Sequence, residues 1–175
     1  MTGLQQRNSD QKNHPAGLRI AAAAVLLAVL LLLPGCGDGK FEDYQDMPIL
    51  ITGLGEDFTI TPLDLLQMEC VSGTATGTTQ KAGTIEGYGP TLKTFVENLG
   101  HTLDEFHSIR FTAGDDYTVL LGRITWEKRE VVLAVARKED KTSLHKKQQP
   151  LRLVIPEGDS GNWIYNVVRI DFTFK

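Results

Sequence analysis

The chain has 175 residues, 41% of them hydrophobic, and sets 18 basic against 22 acidic side chains for a net charge of −4. That length serves one domain with a packed core. The acidic balance excludes nucleic-acid binding, which calls for a basic face to neutralise phosphates.

The chain opens on Arg7, Lys12 and Arg19, then a 14-residue run from Ile20 to Leu33 with no charged or polar side chain, then Pro34, Gly35 and Cys36. A basic lead, a short apolar run and a small residue before the cut form the layout of a secretory signal. A membrane-spanning helix needs about 20 apolar residues, which weighs against an uncleaved anchor; an ordinary cleaved signal is the nearer rival. Leu33-Pro34-Gly35-Cys36 resembles the lipobox of bacterial lipoproteins, with Pro34 where a small residue is usual. The resemblance implies removal of residues 1–35, acylation of Cys36, and a protein held by lipid on the extracytoplasmic face of the cell membrane. Each buried acyl methylene contributes about 0.8 kcal/mol to such anchoring.

Without Arg7, Lys12, Arg19 and Asp10 the balance becomes 15 basic to 21 acidic, a net of −6. With Cys36 acylated, Cys70 stands alone and no internal disulfide can form, so the core alone must hold the domain. Cys70 is then either a small packed hydrophobe or a working thiolate. Residues 36–56 begin with Gly37-Asp38-Gly39 and read as a flexible tether ahead of a domain over 57–175.

Phe58-Thr59-Ile60 reads as a strand. Thr61-Pro62-Leu63-Asp64 then starts a short helix, with Thr61 as N-cap and Pro62 at the first helical position. Glu69 to Gly77 is extended and pairs with a strand over Ala82 to Tyr88. Leu92, Phe95, Val96 and Leu99 form one helical stripe that Gly100 stops, and Thr102 to Glu105 is a capping box. Ser108 to Thr112 alternates, Gly114-Asp115-Asp116 turns, and Tyr117 to Leu121 returns as a strand. Trp126 to Glu130 reads as one helical turn. Val131 to Ala136 is a continuous apolar run, as in a strand buried on both faces. Arg137 to Gln149 reads as a solvated charged loop. Two strands close the chain, one with Leu151, Leu153 and Ile155 alternating with Arg152 and Val154, the other with Val168, Ile170, Phe172 and Phe174 on one face. Short helices among many strands predict an α+β fold, mixed and mainly antiparallel.

The order of these pieces from Phe58 to Phe174 resembles the sulfite-oxidase fold, the oxidoreductase molybdopterin-binding domain. Carrying the resemblance are Gly89-Pro90-Thr91-Leu92 through Gly100, Phe111 through Tyr117, Val132-Leu133-Ala134, Pro150-Leu151-Arg152-Leu153-Val154-Ile155-Pro156, and Trp163 ahead of the last strand. Enzymes of this fold hold molybdenum through a pterin dithiolene and one cysteine thiolate, soft ligands for a soft metal. The family's cysteine sits late in the strand after the first short helix, which here is Ala75-Thr76-Gly77. The family's Trp-x-Gly is Gly87-Tyr88-Gly89 here, the glycine of its Asp-Gly-Tyr is Asp116, the glycine near its Pro-x-Arg run gives way to Gln148-Gln149, and a basic residue after the late aromatic is replaced by Ile164-Tyr165.

The resemblance points to Tyr88, Asp116, Tyr117, Arg152 and Trp163 as the lining of a cofactor or ligand pocket. Each also has a plain structural reading, the aromatics as core edges and Arg152 as a strand residue with a packed stem and a solvated head. His101 and His107, six apart, lack a helical metal-site spacing, His145 lies among lysines, and Asp115-Asp116 suits a turn. Three readings follow. The first is a lipid-anchored module that has lost the thiolate, carries no molybdenum cofactor, and binds a small ligand or partner. The second is a molybdopterin-dependent oxidoreductase with Cys70 as metal ligand, whose electron carrier would be a separate protein, since no haem motif is present. The third is a structural envelope protein whose pocket is filled by side chains.

Overall fold

The computed structural model describes residues 40–77, 83–157 and 162–175. The expected signal sequence over residues 1–35 and Cys36 lie outside the described residues, among which no helix is long and apolar enough to cross a membrane.

Nine strands and three short α-helices follow in order: β1 Ile49–Thr52, β2 Phe58–Ile60, α1 Pro62–Leu66, β3 Cys70–Thr76, β4 Thr84–Pro90, α2 Leu92–Asn98, β5 Phe106–Ala113, β6 Thr118–Gly122, α3 Arg123–Lys128, β7 Val132–Ala134, β8 Arg152–Val154 and β9 Val167–Phe174. The expected α+β class holds. A five-stranded sheet runs β2-β1-β9-β5-β6, with β3–β4 and β7–β8 as separate pairs. Only β1 against β9 is parallel. Bridges Tyr88–Ala136 and Thr91–Val132 set β4 beside β7.

Local chemistry explains the helices. Asp64 N–H donates to Thr61 Oγ1 while Asp64 Oδ2 accepts from Thr61 N–H at 2.8 Å, a reciprocal cap with Pro62 at the first turn. Thr91 Oγ1 caps α2, and Gly100 ends it at φ +81°, a left-handed conformation suited to glycine. The turn helix expected at Trp126 starts earlier, at Arg123.

The β7–β8 pair is the middle layer. Leu133 and Leu153 face the main core, with Ile49, Ile51, Phe106, Ile109, Phe111, Ile170 and Phe172 from the sheet and Leu92, Phe95 and Val96 from α2. Val132, Ala134 and Val154 face the other way, into a second, smaller core with Ala75, Val71, Ile85 and Trp163. This is why residues 131–136 are continuously apolar. It also corrects the reading of β8 as an alternating strand with Arg152 in water: all three of its residues are buried.

Two further expectations are corrected. The tether over 36–56 is folded domain from Phe41 onward: a 3-10 turn spans Phe41–Asp43, Tyr44 is 1% exposed, and β1 lies inside the main sheet. The loop Arg137 to Gln149 is charged but not wholly solvated, because Ser143, Leu144 and Gln149 are buried. One residue accounts for both. The Tyr44 hydroxyl donates to the Val135 carbonyl at 2.5 Å and accepts from the Leu144 N–H at 2.8 Å, latching the first turn onto β7 and the loop after it.

Burial pushes the Tyr44 phenol up to about 12, so the folded state keeps it neutral where the unfolded chain would ionise. Its stabilisation is complete below about pH 10 and is lost as pH rises from there towards 12. Tyr44→Phe leaves the Leu144 N–H without its acceptor, and urea titration is expected to show a loss of about 1–3 kcal/mol at pH 7. The alkaline loss of stability between pH 10 and 12 should be smaller in Tyr44→Phe than in the parent.

Candidate functional site

The second core is built by close approach. A β-carbon on Gly87 would collide with that of Ala134, one on Gly89 with the Leu133 carbonyl oxygen, and one on Gly73 would stand 2.9 Å from Val132 Cγ2. Strand alternation turns Val71, Gly73 and Ala75 towards this core and Cys70, Ser72 and Thr74 away from it. Ala75, in the Ala75-Thr76-Gly77 stretch where the resemblance places a metal-ligating cysteine, is 1% exposed and packs with Val132, Ala134 and Val154.

Arg152 lies on the same face of β8 as Val154, directly across from Ala134. It is 8% exposed, its Nε is buried with no hydrogen-bond partner, and no ion pair to it occurs among the described residues. Burial pulls its guanidinium below the ordinary value, yet an arginine stays charged in a protein. The Nε1 of Trp163, which packs on the same second core, is also buried with no partner among the described residues. Two unmet donors, one of them cationic, therefore adjoin a single small core.

Trp163 also lines a cavity of about 310 Å³ with Ala113, Asp115, Tyr117, Ile164 and Tyr165. The structure thus brings Tyr117 and Trp163 together. The β5–β6 turn holds one wall: Asp115 Oδ1 accepts from Tyr117 N–H at 3.3 Å, and Asp116 takes φ +66°. Asp116 is exposed and it is Asp115 that lines the cavity. Tyr88 is not part of this group. It points out from the far face of β4, opposite Ser72, with the Lys141 ammonium 4.6 Å from its ring centroid. Asp115, Ile164 and Tyr165 carry no sequence signal for this role, since a turn and a loop distant in sequence meet only in the fold.

Cys70 sits at the other end of β3 from Ala75, about 16 Å away at the usual strand rise, and on the opposite face. Its thiol donates to the Leu65 carbonyl at 3.6 Å, and burial pushes its pKa up, which disfavours the thiolate. No group of three or more His, Cys, Asp or Glu that could hold a metal occurs among the described residues. The residues present therefore do not fit a molybdenum centre held by a protein thiolate: the ligand's place is a packed methyl group, and the thiol lies elsewhere.

No family model matches the chain, and no curated protein matches it. Among solved structures it is similar to the sulfane dehydrogenase SoxCD from Paracoccus pantotrophus, with a TM-score of 0.58 and 17% identity over 75% of this chain and 39% of that one. The chain thus spans about two fifths of that relative's length. At this identity the likeness shows the fold alone, and the fold is sulfite-oxidase-like.

Proposed function

We propose that this protein is a lipid-anchored extracytoplasmic binding module, a molybdopterin-oxidoreductase-like domain without the thiolate on which the family's metal chemistry depends. The observation that carries it is a buried cation beside a small apolar core that offers no thiolate. Arg152 holds a desolvated charge against the core in which Ala75 packs, in the stretch where the resemblance expects a cysteine. An uncompensated buried charge costs several kcal/mol, and an anionic ligand reaching Arg152 and Trp163 would offset that cost. The Tyr117–Trp163 cavity offers the aromatic walls that organic ligands favour. The basic lead, the apolar run and Leu33-Pro34-Gly35-Cys36 support the anchored, extracytoplasmic placement.

Arg152→Met removes a buried charge while keeping apolar volume. Without ligand, its unfolding free energy from urea titration is expected to be unchanged or higher by roughly 1–2 kcal/mol. A loss of that size instead would mean the guanidinium is already satisfied within the fold. Sulfate and phosphate should raise the melting temperature of the parent more than that of Arg152→Met; general salt stabilisation is common to both.

Elemental analysis of protein matured in its own host is expected to find no stoichiometric molybdenum, and Cys70→Ala is expected to keep both the fold and the anion response. One molybdenum per chain, lost on Cys70→Ala, would replace this reading with that of an oxidoreductase.

A further inference from the structure

We propose, resting on the lipid-anchor reading above, that the face carrying Lys40, Glu42 and Lys141 lies on the bilayer and seats a phosphoethanolamine headgroup. Three residues separate Cys36 from Lys40, and four residue steps reach at most about 14 Å. The domain begins at once after them: the Tyr44 hydroxyl fixes the first turn to Val135 and Leu144, and the Phe41 ring meets that of Tyr44 edge-on at 5.1 Å. An acyl group on Cys36 therefore brings the surface around Lys40 to the headgroup layer and leaves little length to turn it away.

That surface is shaped for a headgroup. A cavity of about 550 Å³ is lined by Lys40, Phe41, Glu42, Arg137, Lys141, Thr142 and Ser143. Arg137 pairs with Asp140, whereas Lys40 and Lys141 form no ion pair among the described residues. Lys141 holds a left-handed backbone at φ +56°, unusual for lysine, with its ammonium over Tyr88 at the edge of this region. Two ammonium groups without a carboxylate partner among the described residues answer a phosphate, and the exposed Glu42 carboxylate answers the headgroup amine. Each lysine near an anionic surface adds to the attraction. The remainder of the domain is acidic, which opposes the reverse orientation.

The full acylated chain, reconstituted in vesicles of phosphatidylethanolamine with some phosphatidylglycerol, tests this by amine labelling read residue by residue in a mass spectrometer. Lys93 and Lys128 serve as references, since they line a cavity at the Val131 end of β7 while Lys141 lies beyond its Arg137 end. Lys40 and Lys141 should label several-fold more slowly in vesicles than after detergent solubilisation, while Lys93 and Lys128 stay unchanged. The mass of the N-terminal peptide reports the anchor in the same sample. An acylated Cys36 with Lys40 and Lys141 labelled as fast as the references would overturn the docking and leave the anchor standing. An unmodified Cys36 would overturn the anchor and the docking with it.

Discussion

The close approach of the β3–β4 hairpin to the β7–β8 pair is the constraint on which the rest of the structure depends. It is possible only because Gly73, Gly87 and Gly89 leave room for Val132, Ala134 and the Leu133 backbone. Side chains at those three places would put β-carbons only 2.0 to 2.9 Å from their neighbours and wedge the layers apart, and interiors packed to crystal density absorb such strain poorly. With the hairpin seated, β7–β8 becomes a middle layer buried on both faces. Its outer residues then close the second core around Ala75, and Arg152 is shut in at that core's edge.

The same closeness bears on chemistry. A cysteine at Ala75 would present sulfur where there is now a methyl group against Val132, Ala134 and Val154. With alanine there, that position offers a metal no soft ligand, and the buried guanidinium and indole donors stand beside it. A volume-conserving apolar swap in a core usually costs little, whereas a buried guanidinium is expensive to keep. Arg152 thus leaves a desolvated cation at the edge of the second core, with no carboxylate partner among the described residues.

Much of this was legible in the sequence, for stated physical reasons. Periodicity found α2 and β9, capping chemistry found α1 and the turn at Thr102, and the unbroken apolar run at Val131 gave a strand with no solvent face. The resemblance to the sulfite-oxidase fold, drawn from the order of weak motifs, agrees with the fold the structure shows. What sequence could not show was long-range closure. The segment before Phe58 looks like a tether because Gly and Asp dominate its start, yet Tyr44 finds its partners some ninety to a hundred residues away. Arg152 alternates like an exposed strand residue, and only the hairpin laid over it removes the water. Tyr117 and Trp163 share a cavity while Tyr88 does not, because strand parity sends Tyr88 to the opposite face of β4, a distinction no motif encodes.

The position of β9 has a bearing on how the chain can be delivered. It is the last strand in sequence and the middle one in the sheet, held between β1, near the start of the domain, and β5. Neither neighbour can complete its hydrogen bonding until residues 167–174 arrive, and pairing so distant in sequence is slow to form. A chain delivered from its N-terminus would thus keep this sheet open until residues 167–174 had arrived. Strand order itself acts as a timer on closure of the sheet.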